Sequence, residues 1–444
     1  MKQYETYKES GIDWIWNFPS HWEVKKAKYI FDEIKMTGFE HETILSVSKG
    51  KGLIPRTDME QKVVNADKNL DKFKLVTPNQ FIIHLRSFQS GFEMSTISGI
   101  VSPAYTILQG GNDVNPGYFK RLFHSETFIS KLASLVLSLR DGKPISFADF
   151  GELYLPLPSL KEQHLMATYL DQHVDKVDLL VEKKRAQIER LREYRQSLIT
   201  ESVTKGLDPD APIKDSGVEW IGAVPAHWEV SKLKRFAHIT RGTADKKTKE
   251  NEIPVNLVQY TNVYYKPIQQ QNDDDYLPIT VTKHELEFSQ VKRGDVLLTA
   301  SSETSNDIGR STVVYEDLNN HVFGSDVIRL RVPQDELELS FRKYLFDNYY
   351  FLSKLNSLTR GVTRFRFNMD DFRSLFFVIP PFQEQKEISA YLDEKTNYIA
   401  SNISNITTQI DRLEEYKRSL IYEVVTGKRK VEESDIEGEL YHEA

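Results

Sequence analysis

Two stretches of the chain, residues 160–204 and 382–426, carry apolar residues at the seven-residue spacing typical of a coiled coil. The predicted seam comprises Leu170, Val177, Val181, Ile188, Leu191 and Leu198 in the first stretch, and Leu392, Ile399, Ile403, Ile406, Ile410, Leu413 and Leu420 in the second. At ~1.5 Å per residue each stretch predicts a helix about 65–70 Å long. A narrow seam of that length needs a partner, so the pattern favours pairing of the two helices over packing of each on its own domain.

The two helical stretches are copies of each other within a larger internal repeat. Residues 160–204 align with residues 382–426 at 17 of 45 positions, and residues 8–31 align with residues 214–237 at 12 of 24 positions. The segments between these blocks show no comparable match. Two copies related by a pseudo-twofold would pair their helices antiparallel through equivalent surfaces. The sequence therefore predicts a duplicated frame that carries two different inserts.

The inserts have mixed patterns, which predict an α+β globule in each half. Strands are expected near residues 79–86, 294–300, 311–315 and 326–331, and short helices near residues 118–139 and 341–358. The resulting division has the first globule at residues 1–158, its helix at 159–206, a linker at 207–213, the second globule at 214–380, its helix at 381–428 and a flexible acidic tail at 429–444.

The composition of the chain argues against several classes of protein. The net charge of −7 argues against a polycationic binder but leaves a local basic face possible. The absence of Cys removes disulfide frameworks and thiolate zinc sites, and no stretch approaches 18 uninterrupted apolar residues, so a cytoplasmic protein is expected. The sequence contains no phosphate-cradling glycine loop, no H-E-x-x-H and no G-x-S-x-G.

Two groups of residues are similar to parts of known kinds of catalytic site. Glu303, Asp307 and Lys354 could be assembled into a metal nuclease, but scattered loop carboxylates are usually solvated. Residues 115–118 (Asn-Pro-Gly-Tyr) are similar to a base-holding methyltransferase loop, but no cofactor loop precedes them, so a turn and helix start is the better interpretation. The chain is expected not to be a catalyst.

All five Trp residues lie in the first repeated block or its copy: Trp14, Trp16, Trp22, Trp220 and Trp228. Tryptophan contributes a large buried area, so we expect these residues to anchor the cores rather than to contact a ligand. His21 and His227, which directly precede Trp22 and Trp228, are interpreted in the same way.

The frame resembles the specificity subunit of type I restriction-modification enzymes. The resemblance is carried by W-I-G-x-V-P-x-H-W-E-V at residues 220–230, by its weaker copy at 14–24, by the proline-rich, Glu-Gln entry to each long helix, and by the Ser-Leu-Ile near each helix end. The first copy departs from the pattern at Trp16, where the second has Gly222. The match covers the whole chain in order.

The resemblance implies two target recognition domains joined by two long antiparallel coiled-coil helices. Each domain would read one half of a bipartite target in double-stranded DNA, and the helices would set the spacing between the halves. It further implies two modification subunits that use S-adenosylmethionine to methylate adenine, and restriction subunits with motor and nuclease activity that use ATP and Mg²⁺. The chain itself would hold no cofactor and no metal.

The candidate DNA contacts are polar and basic residues on loops, because phosphate and base contacts need such donors. A G-x-T-R type segment before the second proline-rich entry is a recurrent feature of the family, and residues 359–366 match it. The candidates are Arg86, Ser87, Gln89, Lys143, Arg310, Thr312, Arg360, Thr363, Arg364 and Arg366.

Two other classes of function remain as competing hypotheses. One is a self-contained methyltransferase or nuclease, against which the missing cofactor loop argues. The other is a coiled-coil scaffold that binds only protein, which would lack the steep salt dependence that DNA binding requires.

Overall fold

A computed structural model describes residues 2–48, 52–59, 69–138, 145–265, 268–269 and 276–436. The chain divides into two compact units. The first consists of Met1–Arg185 and Thr407–Ala444, and the second of Ala186–Ile406. Both units therefore differ from the predicted domains, because each contains the start of one long helix and the end of the other.

The first unit is an α+β globule. Its strands are β1 (Tyr7–Ile12), β2 (Ile15–Pro19), β3 (Glu23–Lys26), β4 (Phe31–Ile34), β5 (Leu45–Ser48), β6 (Gly52–Pro55), β7 (Lys74–Val76), β8 (Phe81–Ile83), β9 (Glu93–Met94), β10 (Gly99–Val101), β11 (Thr106–Gly110) and β12 (Tyr154–Leu157). Its helices are α1 (Ser87–Ser90), α2 (Pro116–Phe123), α3 (Glu126–Ser138), α4 (Phe147–Gly151) and the first part of α5 (Leu160–Lys205).

The core of the first unit is largely aromatic. One face of the sheet β4-β11-β8-β9 packs against α2, α3 and α4 through fully buried phenylalanines: Phe31, Phe81, Phe92, Phe123, Phe128 and Phe150. Their rings meet edge-on or tilted, with centroids about 5–6 Å apart. As predicted, residues 115–118 form a helix start, in which Asn115 Oδ1 accepts a hydrogen bond from Tyr118 N (3.1 Å).

The second unit has the same class of fold with a different sheet. Its strands are β13 (Ile213–Asp215), β14 (Ala223–Pro225), β15 (Glu229–Lys232), β16 (His238–Arg241), β17 (Ile253–Val258), β18 (Ile268–Gln269), β19 (Leu277–Val281), β20 (Val296–Thr299), β21 (Ser301–Ser302), β22 (Ser311–Val314), β23 (His321–Phe323), β24 (Val327–Arg331), β25 (Phe365–Arg366) and β26 (Phe376–Ile379). Its helices are the end of α5, then α6 (Leu233–Phe236), α7 (Tyr260–Tyr265), α8 (Lys283–Ser289), α9 (Leu339–Leu345), α10 (Tyr349–Ser357), α11 (Met369–Arg373) and the first part of α12 (Phe382–Val425). The main sheet has the order β16-β24-β20-β22-β18.

The two predicted long helices are present as α5 and α12, and every predicted seam residue is buried or half-buried. In the first unit Lys417 Nζ donates to Asp178 Oδ1 (2.7 Å), and Lys184 Nζ donates to Gln409 Oε1 (2.5 Å). In this unit the segments of α5 and α12 therefore run antiparallel to each other. In the second unit Ile199 and Val203 of α5 share one core cluster with Ile388 and Leu392 of α12.

Each long helix is fastened to its globule by the same set of contacts. Trp22 Nε1 donates to Glu162 Oε1 (3.2 Å), and Trp228 Nε1 donates to Glu384 Oε2 (2.9 Å). His21 and His227 also lie within hydrogen-bond distance of the respective carboxylate, at 2.8 and 2.6 Å. The repeated His-Trp pair is therefore a structural joint.

The neighbouring glutamine of each helix forms a second repeated joint. Gln163 Oε1 accepts from Asn115 N (2.8 Å), and its Nε2 donates to the carbonyl oxygens of Asp113 and Pro158 (both 2.9 Å). Gln385 makes the same three bonds in the second unit, to Glu338 N (2.7 Å) and to the carbonyls of residues 336 and 380 (3.2 and 2.9 Å). The repeat therefore extends into the inserts, where the sequence shows no match.

Three sequence expectations about the frame and the tail differ from the structure. His21 and His227 are exposed, so they do not pack inside the cores with the neighbouring tryptophans. Trp16 is 79% exposed, so it does not anchor a core as Trp22 and Trp228 do. The first part of the expected tail, residues 429–436, is held in place, because Lys2 Nζ pairs with Glu432 (2.8 Å) and Asp435 (3.0 Å), and Ile436 packs on the first core. The sequence showed the acidity of this segment but not its basic partner at the other end of the chain. The rest of the tail, residues 437–444, lies outside the described residues.

Candidate nucleic-acid interface

The most distinctive basic feature of the second unit is a hairpin at residues 360–366. Two backbone bonds close it, from Arg360 N to Arg366 O (2.7 Å) and from Arg366 N to Arg360 O (3.0 Å). Gly361 has φ +136°, and a Cβ there would lie 2.2 Å from Arg364 O. Only glycine fits this turn without strain. At the tip, Val362 is 91% exposed.

The base of this hairpin is held rigidly. Strand β25 pairs with β21, so that Arg366 lies opposite Ser301 and Phe365 opposite Ser302, and both serines are buried. Arg364 Nε donates a hydrogen bond to Ser301 Oγ (3.1 Å). The guanidinium of Arg364 is therefore oriented by the protein while its residue stays exposed.

The hairpin presents three arginines and a threonine to solvent. Arg360, Thr363, Arg364 and Arg366 are all exposed, and within the described ranges none of the three guanidinium groups pairs with a carboxylate. An unpaired guanidinium offers a planar set of donors that suits a phosphate or the guanine edge. The structure thus brings together four of the predicted residues.

Arg310 lies in a different setting. Its guanidinium is 3.6 Å from Asp307 and lies over the Tyr264 ring at 5.9 Å, so its charge is partly neutralised. Asp307 also accepts from Tyr264 Oη (3.0 Å) and from Thr304 Oγ1 (2.6 Å). The Thr304 hydrogen bond is the largest cause of the lowered pKa of Asp307. The carboxylate of Asp307 is therefore occupied by Tyr264, Thr304 and Arg310.

Tyr260, Tyr264 and Tyr265 form an aromatic patch beside Arg310 that the sequence-based prediction missed. The rings of Tyr260 and Tyr264 stack at 5.5 Å, and Tyr265 is exposed. Aromatic faces next to an arginine are suited to contacts with bases. The signal in the sequence was three tyrosines in six residues, at the spacing that places two of them on one face of a helix.

The prediction that Thr312 contacts DNA is wrong. Its side chain is 1% exposed on β22, opposite Leu297 of β20. Val313, which points to the opposite face of the strand, is also 1% exposed, so β22 is covered on both faces and leaves no exposed position for Thr312.

In the first unit the predicted residues lie at the end of the loop after β8 and in helix α1. Arg86, which precedes the helix, and Gln89, within it, are exposed. Ser87 is fully buried, and its Oγ accepts a hydrogen bond from His84 N (2.8 Å). The prediction that Ser87 contacts DNA is therefore wrong, because its hydroxyl is used to shape the loop. His84 lies beneath the loop, and burial lowers the pKa of its imidazole. Lys143, the remaining candidate, lies outside the described residues.

The described ranges hold neither a membrane span nor a metal cluster. No helix there is long and apolar enough to cross a membrane. No group of three or more His, Asp or Glu side chains in the same ranges is arranged to hold a metal ion.

Comparison with known proteins gives concordant matches. A family model described as "Type I restriction modification DNA specificity domain" matches residues 114–190 and 225–414. The Type I restriction enzyme MjaVIII specificity subunit of Methanocaldococcus jannaschii is 23% identical over 93% of this chain and 94% of its own length. The EcoKI specificity subunit of Escherichia coli is 20% identical over 70% of this chain and 65% of its own length.

Two solved structures share the fold. A chain from a structural study of complex assembly and conformational transition of the type I R-M system matches with a TM-score of 0.69 and 13% identity, over 93% of this chain and 99% of that one. The HsdS subunit of Thermoanaerobacter tengcongensis matches with a TM-score of 0.51 and 14% identity, over 93% of this chain and 98% of that one.

Proposed function

Because the chain belongs to the family of type I restriction modification DNA specificity domains, we propose that it directs a type I restriction-modification complex to its DNA sequence. The chain is a non-catalytic specificity subunit. The observation that carries this proposal is the duplicated frame, in which identical joints at Glu162 and Glu384 hold two globules with unlike sheets. A common frame with two different surfaces is what reading two unlike half-sites requires.

Each globule acts as a target recognition domain. In the second, the main DNA contacts come from the exposed hairpin with Arg360, Thr363, Arg364 and Arg366. Arg310, whose charge Asp307 partly neutralises, and the neighbouring tyrosines provide further contacts. In the first, Arg86 at the start of helix α1 and Gln89 within it provide contacts. Arginine and glutamine are the side chains that can bind base edges in a bidentate manner.

The long helices pair antiparallel and set the spacing between the half-sites. Support comes from the buried seam of both helices and from the Asp178–Lys417 and Lys184–Gln409 bonds in the first unit. A helix is a stiff spacer with a fixed rise per residue, so its length defines a distance.

The complex is completed by two modification subunits that use S-adenosylmethionine to methylate adenine, and by restriction subunits that use ATP and Mg²⁺ for translocation and cleavage. Apolar side chains left exposed on the long helices support docking of partner subunits there: Leu179, Leu180 and Tyr416 in the first unit, and Tyr194 and Tyr398 in the second. A complex that acts on cellular DNA works in the cytoplasm.

The experiment is to reconstitute the chain with its modification subunits and to map the methylated adenines by sequencing. We expect methylation at a single bipartite sequence with a fixed spacer. Methylation without regard to sequence would overturn the proposal. A coiled-coil scaffold that binds only protein would show no DNA affinity with a steep salt dependence.

A further inference from the structure

A basic cleft lies at one end of the main sheet of the second unit. It has a volume of about 600 Å³ and is lined by α6, by the turn before β20 and by the end of β24. Four cationic side chains line it and form no ion pair with a carboxylate in the part of the chain that the structure describes: Lys234, Arg235, Lys292 and Arg293. All four residues are exposed. The acidic residues of the lining are Asp295 and Glu336.

The walls of this cleft are rigid. Arg331 forms a bidentate pair with the buried carboxylate of Asp295, at 2.7 Å for both bonds. The buried guanidinium of Arg342 donates to the carbonyl oxygens of Gly294 (2.5 Å), Val332 (3.2 Å) and Leu337 (2.7 Å). These bonds tie the turn before β20 to the end of β24, so Lys292 and Arg293 are presented on a fixed surface. Helix α6, which carries Lys234 and Arg235, is anchored by the buried side chains of Leu233 and Phe236.

The repeat places an equivalent surface in the first unit, and we call the two matching surfaces the corners of the units. Their charges differ. Lys28 occupies the place of Lys234 in the repeat, and Lys26 that of Lys232. Lys26 Nζ lies over the Tyr154 ring at 5.5 Å, and Lys232 Nζ lies over the Phe376 ring at 5.1 Å, so the two corners are built alike.

One carboxylate distinguishes the two corners. Glu152, directly after α4, accepts hydrogen bonds from Lys26 Nζ (2.6 Å) and Lys28 Nζ (2.5 Å). These two bonds lower the pKa of Glu152 to about 2. The second unit has Ser374 at the equivalent place after α11, and its Oγ donates to Asp370 O (2.8 Å). The acid that neutralises the first corner is therefore missing from the second.

We propose that the cleft of the second unit binds the phosphate backbone of double-stranded DNA without reading its sequence, and that Glu152 closes the equivalent corner of the first unit to phosphate. This rests on the proposed function, since it takes the polyanion to be the DNA that the chain recognises. The two units then differ in kind, because the second adds a sequence-independent contact that the first lacks.

The sheet places this cleft within reach of the duplex that the arginine hairpin contacts. The cleft lies at the start of β20, and β21, which holds the hairpin, directly follows the end of β20. Strand β20 has four residues and therefore spans about 13 Å. That distance is well below the ~34 Å of one helical turn of DNA. Because DNA bound by the hairpin would lie this close, we favour a phosphate group of the duplex over an acidic protein segment as the group that the cleft binds.

The test compares variants of the full chain assembled with its modification subunits. The affinity for a duplex with the methylation target, and for a duplex of equal length without it, is measured over a series of NaCl concentrations. The variants are Lys234→Ala with Arg235→Ala, and Ser374→Glu, which restores the neutralising acid. The control is Lys26→Ala with Lys28→Ala, which removes the same number of cations from the closed corner.

We expect the slope of log K against log[salt] to become shallower by ~0.9 for each phosphate that the variant no longer binds, and equally for both duplexes. Both cleft variants should show this change and keep the preference for the target, whereas the control should keep the wild-type slope. A thermal unfolding midpoint equal to the wild type would confirm that the variants fold, and Ser374→Glu adds only one exposed side chain.

Three outcomes contradict parts of this account in distinguishable ways. Unchanged slopes in both cleft variants, with target preference retained, would exclude the cleft from DNA binding and leave the proposed function intact. Loss of a modification subunit from the variants with an unchanged slope would assign the cleft to an acidic protein partner. No target preference in the wild type would overturn the proposed function itself.

Discussion

The indole of Trp228 and the carboxylate of Glu384 form the joint between the second globule and its long helix, with Nε1 donating to Oε2 over 2.9 Å. Trp228 is 1% exposed, so the bond is made at the edge of the core. Trp22 and Glu162 form the equivalent joint in the first unit.

We expect Trp228→Phe to lower the free energy of unfolding by about 1–3 kcal/mol, because it leaves a gap and removes a donor to a charged acceptor. Chemical denaturation measures the change. The matched control is Trp16→Phe, which alters an exposed side chain and should change stability by less than about 0.5 kcal/mol. Equal effects of the two substitutions would contradict the structural role of the joint.

Arg364→Ala combined with Arg366→Ala should weaken DNA binding while the fold is retained. Removal of a bidentate base contact would cost about 1–3 kcal/mol of discrimination, and removal of a phosphate contact would reduce the salt slope by about 1. Titration of the assembled complex with target DNA measures both. Arg373→Ala is the control, since Arg373 pairs with Asp370 at 3.1 Å on helix α11. Unchanged binding by the double variant would remove the hairpin from the interface.

The second unit should lose stability as the pH falls below about 6.5, because His321 is buried as a neutral imidazole. Its Nδ1 lies 2.7 Å from Asn319 O and its Nε2 lies 3.3 Å from Asn256 Nδ2, which together suit the neutral ring. Burial lowers the pKa of His321 in the folded state. The unfolded chain therefore binds the additional proton, and stability rises with pH from the folded pKa to about 6.5, the ordinary value.

The measurement is the denaturation midpoint at a series of pH values from about 7.5 downward. One such histidine contributes at most ~1.4 kcal/mol of unfolding free energy per pH unit. His321→Gln should reduce this dependence without abolishing it, because burial also lowers the pKa of His84. The exposed His284→Gln should leave the dependence unchanged. A wild-type slope in His321→Gln would show that the dependence arises elsewhere.

A fragment ending near Lys214 should self-associate. In the intact first unit Leu170 and Met166 share a core with Leu420 and Val424 of α12, which the fragment lacks. The end of α5 is the repeat counterpart of that segment, so a second copy of the fragment can supply it through an isologous contact. Sedimentation would give a dimer, and a well-folded monomer would contradict helix pairing.

Much of the frame could be predicted from the sequence because it is written twice. The heptad positions predicted both long helices, and the strands expected near residues 294–300 and 326–331 are β20 and β24. These features depend on local periodicity, which one segment of chain determines by itself. The four exposed residues of the hairpin were singled out as candidate DNA contacts by the family resemblance, although the hairpin itself was not predicted.

Side-chain direction within the candidate site was predicted less well. Ser87 and Thr312 are polar residues beside loops, yet both are buried. Ser87 lies in helix α1 and bonds to His84 N, while β22 is covered on both of its faces, so that residues 312–314 are all buried whichever way they point. The sequence does not show that distant segments cover both faces of this strand. The tyrosines of α7 were missed because their nearness to Arg310 arises from packing between segments far apart in sequence.

The sequence by itself determined the duplicated frame, the two helices with their apolar seam, and the family to which these belong. Only the tertiary structure decided which charges are free. Lys26 and Glu152 are more than a hundred residues apart and form a neutral corner, whereas Lys234 has Ser374 at the equivalent place. The physical reason is that charge acts over a few ångströms in space, so the electrostatic character of a surface depends on which distant segments the fold brings together.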